Sequence, residues 1–170
     1  TVGLVRPIRG WNSWDSYCAS LDQTAALANA RVMAKKLLPY GYDYFCVDGG
    51  WMGEHGPNAN GNTGLHIDSF GRCLPSRSHF PDGLKALAAS VHALGLKFGL
   101  HLMRGVPRIV VERNLPVLGT SVFARDIADL RSTCSWSTMC YGVNVFVPQG
   151  QTYYDGVIDL IASWNVDLLK

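Results

Sequence analysis

The run Tyr42-Asp43-Tyr44-Phe45-Cys46-Val47-Asp48-Gly49-Gly50-Trp51 begins like a buried strand and ends in polar chemistry. Tyr44, Phe45, Cys46 and Val47 have the aromatic and β-branched composition of a strand covered on both faces, as parallel strands between helices are. Asp48 arrives at the C-terminal end of that strand. A carboxylate is costly to bury unless it is paired, so an acid closing an apolar strand faces a cleft more often than a core. Gly49 and Gly50 let the chain turn, and Trp51 then sets a flat apolar face beside the acid. In isolation the stretch reads equally well as a turn aspartate followed by a packed tryptophan.

Outward from it, strands alternate with helices. Leu4 to Ile8 reads as a weak strand running into Arg9-Gly10-Trp11-Asn12-Ser13-Trp14, a loop unusually rich in indole. A helical period then places Leu27, Ala30, Ala34 and Leu37 on one face, with Asp22 or Thr24 as cap and Pro39 and Gly41 ending the run. After the strand at Val47 comes a long stretch without periodicity, from Gly53 to Phe80, and loops of that length are usually functional or disordered. Pro81 and Asp82 open a second helix carrying Leu84, Leu87, Ala88, Val91 and Leu94 on one stripe, with Gly95 past its end. Leu96 to Met103 reads as a third strand. A short helix from Pro107 to about Arg113 and an irregular stretch rich in Ser and Thr follow. Tyr154, Val157, Ile158, Ile161 and Trp164 mark a third long helix, and Val166 to Lys170 begins a fourth strand.

This alternation predicts a parallel α/β architecture, either a doubly wound sheet or a (β/α)8 barrel. Neither G-x-G-x-x-G nor a P-loop occurs, which removes the usual marks of a nucleotide-binding doubly wound domain. Barrels carry their chemistry on the loops after the strands. That is where the unusual residues fall: Trp14 after the first strand, Asp48 and Trp51 after the second, His101 and Arg104 after the third, Lys170 at the fourth. Indole planes beside a carboxylate and a cation suit a polyol, with C–H faces on the rings and hydroxyls on the charged groups.

Composition bounds the partners. With 170 residues, 48% hydrophobic and 16% charged, the chain has the size and apolar content of one globular domain with a sizeable core. A net charge of +2 and the lack of any Lys/Arg run argue against nucleic acid. No apolar segment reaches the roughly 20 residues of a membrane span. The start, Thr1-Val2-Gly3-Leu4-Val5, has neither an initiator Met nor a signal-peptide pattern and reads as cut. Five cysteines without a C-x-x-C spacing exclude a zinc ribbon and a redox dithiol but leave disulfides open. No cofactor or metal is called for, and the absence of an N-x-S/T sequon leaves the compartment open.

Five blocks, taken in order, resemble the α-galactosidase or melibiase family of glycoside hydrolases. They are Gly10-Trp11-Asn12-Ser13-Trp14, then Gly41-Tyr42-Asp43-Tyr44 with Val47-Asp48-Gly49-Gly50-Trp51, then Phe80-Pro81-Asp82-Gly83, His92-Ala93-Leu94-Gly95-Leu96-Lys97-Phe98-Gly99, and Trp164-Asn165-Val166-Asp167-Leu168-Leu169-Lys170. Their order and spacing extend over nearly the whole chain. The resemblance implies a (β/α)8 TIM barrel with a retaining exo-glycosidase site. Residues 1–170 would be the N-terminal part of that one catalytic domain, its first four β/α units.

By the same resemblance Trp14 forms one wall of a sugar pocket, Asp48 accepts hydrogen bonds from ring hydroxyls, and Trp51 lines the same pocket. His101 stands where the family usually has a tyrosine, and Lys170 opens a Lys-x-Asp signature. The nucleophile of that signature, two residues past Lys170, and the acid/base are expected beyond this chain, so the chain alone is expected to hydrolyse nothing. Four strands leave open edges, which predicts association. The implied compartment is secreted or lysosomal/vacuolar.

The family's galactose-specific members usually carry two consecutive aspartates at the end of the second strand, whereas Asp48 is followed here by Gly49. The missing acid is the one the resemblance assigns to the substituent on C5. A cysteine pair usual in the family is Ala19 and Gly50 here. The expected function is therefore hydrolysis of terminal α-D-galactosyl residues by double displacement, a small carbohydrate being the partner. The alternatives are a related exo-glycosidase such as a β-L-arabinopyranosidase, whose substrate lacks the hydroxymethyl at C5, or a non-catalytic carbohydrate-binding barrel. Asp48→Asn is expected to be milder than Asp48→Ala, because an amide still accepts.

Overall fold

The structure, a computed structural model, describes residues 7–53 and 64–170. In chain order, β1 (Gly10–Asn12) leads through a single helical turn, α1 (Trp14–Tyr17), into α2 (Gln23–Lys36), and β2 (Tyr44–Val47) is followed by α3 (Gly83–Ala93). After β3 (Lys97–Leu100) comes an insertion made of β4 (Val106–Pro107), α4 (Arg108–Arg113), α5 (Ala124–Ile127), β5 (Ala128–Cys134) and β6 (Ser137–Val143). Helix α6 (Gln149–Ala162) then returns the chain to β7 (Leu168–Leu169).

β1, β2, β3 and β7 lie side by side in that order, all parallel. A doubly wound sheet reverses its strand order at a switch point. Here each new strand is added to the same edge after a helical crossover, which is the winding of a (β/α)8 barrel. The sheet is four consecutive strands of that barrel, the fold expected from the sequence. Its inward and helix-facing side chains make the core: Phe45, Phe98 and Leu100 are 0% exposed. Burial of each such side chain contributes roughly 1.5–3 kcal/mol.

The helices follow their sequence signals with one rotation. Asp22 caps α2 by accepting from the Ala25 N–H at 2.7 Å, satisfying one of the otherwise unpaired first-turn donors. Its buried face is Ala26, Ala30 and Met33, with Leu27 and Ala34 at the margins and Leu37 exposed. That is about one residue round from the expected stripe, because alanines let the helix lie closest to the sheet. Helix α3 buries Leu84, Leu87, Ala88 and Val91 as expected.

Two other expectations are corrected. Of the strand read at Leu4–Ile8, residues 4–6 lie outside the described residues, and Pro7 to Arg9 form no regular structure. The edge strand starts at Gly10, in register with Tyr44. The Arg9 carbonyl, accepting from both Asp43 and Tyr44 N–H at 3.1 Å, starts the ladder there. The Ser- and Thr-rich stretch read as irregular is instead the β5–β6 hairpin, which joins β4 in a small antiparallel sheet of order β4-β6-β5.

Candidate active site

Register alone assembles the polar group at the C-terminal ends of the strands. Val47 pairs with Leu100 and Leu100 with Leu169. The next residues, Asp48, His101 and Lys170, therefore stand in a row across β2, β3 and β7. β1 contributes from the other side: Asn12 Nδ2 donates to Asp48 Oδ2 at 2.8 Å, and the Asp48 N–H donates to Ser13 Oγ at 2.9 Å. Asp48 is thus a hub between strands, not merely a turn aspartate.

Asp48 is only 4% exposed, yet it is an ionised acceptor. Burial pushes its pKa up, but donors outweigh that effect: Lys170 Nζ at 2.5 Å and Asn12 on Oδ2, and the Gly49 N–H on Oδ1 at 2.7 Å. The charge of His101 adds to them, and the carboxyl ends below its ordinary value. His101 moves down too. Burial comes first, the Lys170 charge helps, and Asp48 opposes them without prevailing. His101 Nδ1 lies 3.8 Å from Asp48 Oδ1, too far for a hydrogen bond, and has no hydrogen-bond partner. Behind the acid, burial and the Asp48 charge push the Cys46 thiol up to about 11, so it stays protonated.

A cavity of about 420 Å³ opens over this group, lined by Asp48, His101 and Lys170 together with Trp14, Gly49 and Gly50. Four of the five residues read from the sequence as sugar-binding are therefore brought together. Trp51 is the exception. Gly50, at φ +89°, turns the chain so that the indole of Trp51 enters the core at 1% exposure, edge-on to Trp164. Its Nε1–H donates to the His101 carbonyl at 2.8 Å, which fixes the end of β3 rather than a ligand.

The cavity also holds residues that sequence reasoning missed. Met52, Met103 and Met139 form an apolar wall, and Trp136 stands at the turn of the β5–β6 hairpin. Trp136 carried one readable signal, an indole in an otherwise small and polar stretch. Arg104, placed by sequence beside His101, does not line the cavity but donates to the Thr133 carbonyl at 3.1 Å in β5. Ala19 and Gly50 are in contact, as the resemblance implies for its cysteine pair, and Cys18, Cys46, Cys73, Cys134 and Cys140 are free thiols. Among the described residues no group of three or more His, Cys, Asp or Glu could hold a metal, and no helix is long and apolar enough to cross a membrane.

A family model described as Melibiase matches residues 5–111. The chain belongs to the melibiase family. A melibiase relative, the α-galactosidase of Coffea arabica, is 38% identical over 101 residues, 59% of this chain and 24% of that protein. A GH27 β-L-arabinopyranosidase from Geobacillus stearothermophilus superposes with a TM-score of 0.91 at 44% identity, covering 96% of this chain and 39% of that one. A putative α-N-acetylgalactosaminidase from Bacillus halodurans gives 0.91 at 41% identity, covering 99% and 41%. Matches thus span about a quarter or less of the curated melibiase relatives and about two fifths of these solved structures.

Proposed function

We propose that this chain forms the sugar-binding side of a retaining glycoside hydrolase of α-galactosidase type, acting on terminal α-D-galactosyl residues. The observation that carries this is Asp48, a buried carboxylate held ionised by Lys170, Asn12 and Gly49 at the floor of a cavity walled by Trp14. A carboxylate has about four acceptor positions, and three are taken here. With its pKa lowered and its oxygens tied to donors, Asp48 is neither a proton donor at neutral pH nor a free nucleophile. It suits the acceptance of a hydrogen bond from a sugar hydroxyl. Lys170, with three donors, has capacity left for a neighbouring hydroxyl, and the unpartnered His101 Nδ1 for another. The Trp14 indole, 36% exposed, offers its face to ring C–H groups.

Double displacement takes two carboxyl groups about 5 Å apart. Asp48 is the one carboxylate lining the cavity among the described residues, so nucleophile and acid/base are assigned to barrel strands outside this chain.

Gly49 supports a second reading, a β-L-arabinopyranosidase. It occupies the place of the second aspartate, and the likeness to the Geobacillus β-L-arabinopyranosidase is 44% identity at a TM-score of 0.91. The experiment is kcat/KM of the full-length protein carrying these residues on aryl α-galactoside and aryl β-L-arabinopyranoside. Preference for the first supports the main reading and for the second the alternative. Sugar binding without turnover of either would leave a carbohydrate-binding barrel and overturn both.

A further inference from the structure

The β5–β6 hairpin ends in a two-residue turn, Ser135 and Trp136, closed by the Cys134–Ser137 pair. It is firmly held. β6 pairs with β4 through Val106–Tyr141 and Pro107–Cys140. On the other strand, Arg104 forks onto β5, with Nη2 to the Thr133 carbonyl at 3.1 Å and Nη1 to Ser132 Oγ at 3.4 Å. The Gly105 N–H beside it donates to Tyr154 Oη on α6 at 2.8 Å. The turn is thereby tied to the loop after β3, the strand that delivers His101.

Trp136 lines the same cavity as Asp48 but from its rim, being 64% exposed where Asp48 is 4% exposed. Its neighbours in β6, Ser137 and Met139, continue the wall inward. Its indole makes no hydrogen bond, ring stack or cation–π contact with any described residue. A large flat apolar side chain with no such contact in the fold is thus carried on a tied hairpin turn at the rim of a polar-floored cavity. Aromatic faces in such positions supply contact area at little entropic cost to the group that covers them.

We infer that Trp136 is the aglycone platform of this site, stacking on the flat apolar face of the group attached to the bound sugar, a second sugar ring or an aryl ring. The inference rests on the glycosidase reading above and adds a specificity residue to it. Trp14 and Asp48 then hold the terminal sugar, and Trp136 reads what is joined to it. In double displacement the aglycone oxygen takes a proton from the acid and departs as C1 bonds to the nucleophile. Contact with the aglycone therefore acts only up to that departure, and not on hydrolysis of the glycosyl-enzyme.

The test uses the full-length protein and its Trp136→Ala and Trp136→Phe variants, with whichever sugar the unaltered protein turns over. Aryl glycoside, disaccharide and methyl glycoside of that sugar are compared, together with inhibition by the free monosaccharide. Trp136→Ala is expected to lower kcat/KM for the aryl glycoside and disaccharide by about tenfold, with the methyl glycoside changed less than about twofold, because only the first two present a face to stack on. The inhibition constant of the free sugar stays unchanged, and Trp136→Phe recovers most of the loss. A loss confined to aryl glycoside or to disaccharide supports the platform and narrows its aglycone to that class. Equal losses on all three substrates, or no loss on any, overturn it while leaving the glycosidase reading intact. An unaltered protein that turns over no glycoside overturns that reading, and this inference with it.

Discussion

Lys170 Nζ donates to Asp48 Oδ2 at 2.5 Å across 122 positions of sequence, and the two residues follow strands that are not neighbours. β3 lies between β2 and β7, so the pair bridges over the end of β3, where His101 stands. The acid is 4% exposed while the lysine side chain is 53% exposed. The pair is therefore wet on one side only, and its value lies in holding the acceptor charged and aimed.

Lys170→Met tests that role. A hydrogen bond to a charged group is worth roughly 1.5–3 kcal/mol, so kcat/KM of the full-length protein should fall by about tenfold to a hundredfold. The pH dependence carries the sign. Donors hold the Asp48 pKa below its ordinary value against burial, and without the lysine the largest of those opposing contributions is gone, so the pKa rises. The acid limb due to Asp48 should move to higher pH. A limb that stays in place would mean that the lysine does not set the ionisation of the acid.

His101 predicts a pH dependence of stability. Burial lowers its folded pKa beneath its ordinary value, which is about 6.5 in the unfolded chain. Above that pH both states are neutral and nothing is lost. As pH falls from about 6.5 toward the folded pKa, the unfolded chain takes up a proton that the folded one resists, and stability declines by at most about 1.4 kcal/mol per pH unit. Asp48 acts lower: its contribution is present above its unfolded pKa and is lost as pH falls through the depressed folded value. Denaturant titrations at pH 7, 6 and 5 should show a shallower decline in His101→Gln than in the unaltered protein.

Gly50→Ala should destabilise the fold. Gly50 sits at φ +89°, and a Cβ there would come within 2.4 Å of the Ala19 carbonyl oxygen, a backbone atom that cannot swing aside. Strain of this kind costs on the order of 1–3 kcal/mol, read as a lowered Tm. An unchanged Tm would require the α1 loop to have moved.

Asp48→Ala should lower kcat/KM by about tenfold to a few hundredfold, the equivalent of one or two charge-assisted hydrogen bonds. Sequence alone suggests that Asp48→Asn is milder. The donors say otherwise. Lys170 and Asn12 both point at Oδ2 and the Gly49 N–H points at Oδ1, so an amide must turn its NH2 toward a donor whichever way it is flipped. Asn is expected to lose at least tenfold as well, on the same scale. Michaelis–Menten kinetics of both variants, with circular dichroism as a check on folding, decide the point.

What was legible follows from the physics of each segment. The strand through Val47, the stripe of α3 and the acid at Asp48 were readable because burial, period and strand-end position act locally. The row Asp48, His101, Lys170 was readable as a shared position after strands, although the pairing within it depends on register. Trp51 was misread because Gly50 re-aims the chain, and the sign of its φ is invisible in sequence. The hairpin was missed because β5 has no clean alternation of buried and exposed residues and slips register between Asp129 and Thr133. Its pairing with β4 and the Arg104 fork, contacts distant in sequence, hold it in place.

Gly49→Asp asks which sugar the site reads. Gly49 lines the cavity directly after the hub acid, and its φ lies outside the left-handed region, so a side chain meets no backbone strain. A Cβ added there would meet Trp14 Cζ3 at 3.4 Å, an ordinary contact beside the indole that walls the cavity. An added acceptor stabilises a substrate that presents a hydroxyl to it and leaves a desolvated charge facing one that does not. Arabinopyranose has no C5 hydroxymethyl, so the new acid should help the galactoside and penalise the arabinopyranoside. The expected result is a shift of the kcat/KM ratio toward aryl α-galactoside by about tenfold or more, one charge-assisted hydrogen bond being worth roughly 1.5–3 kcal/mol. Equal effects on both substrates in a protein of unchanged Tm would show that position 49 does not read the C5 substituent.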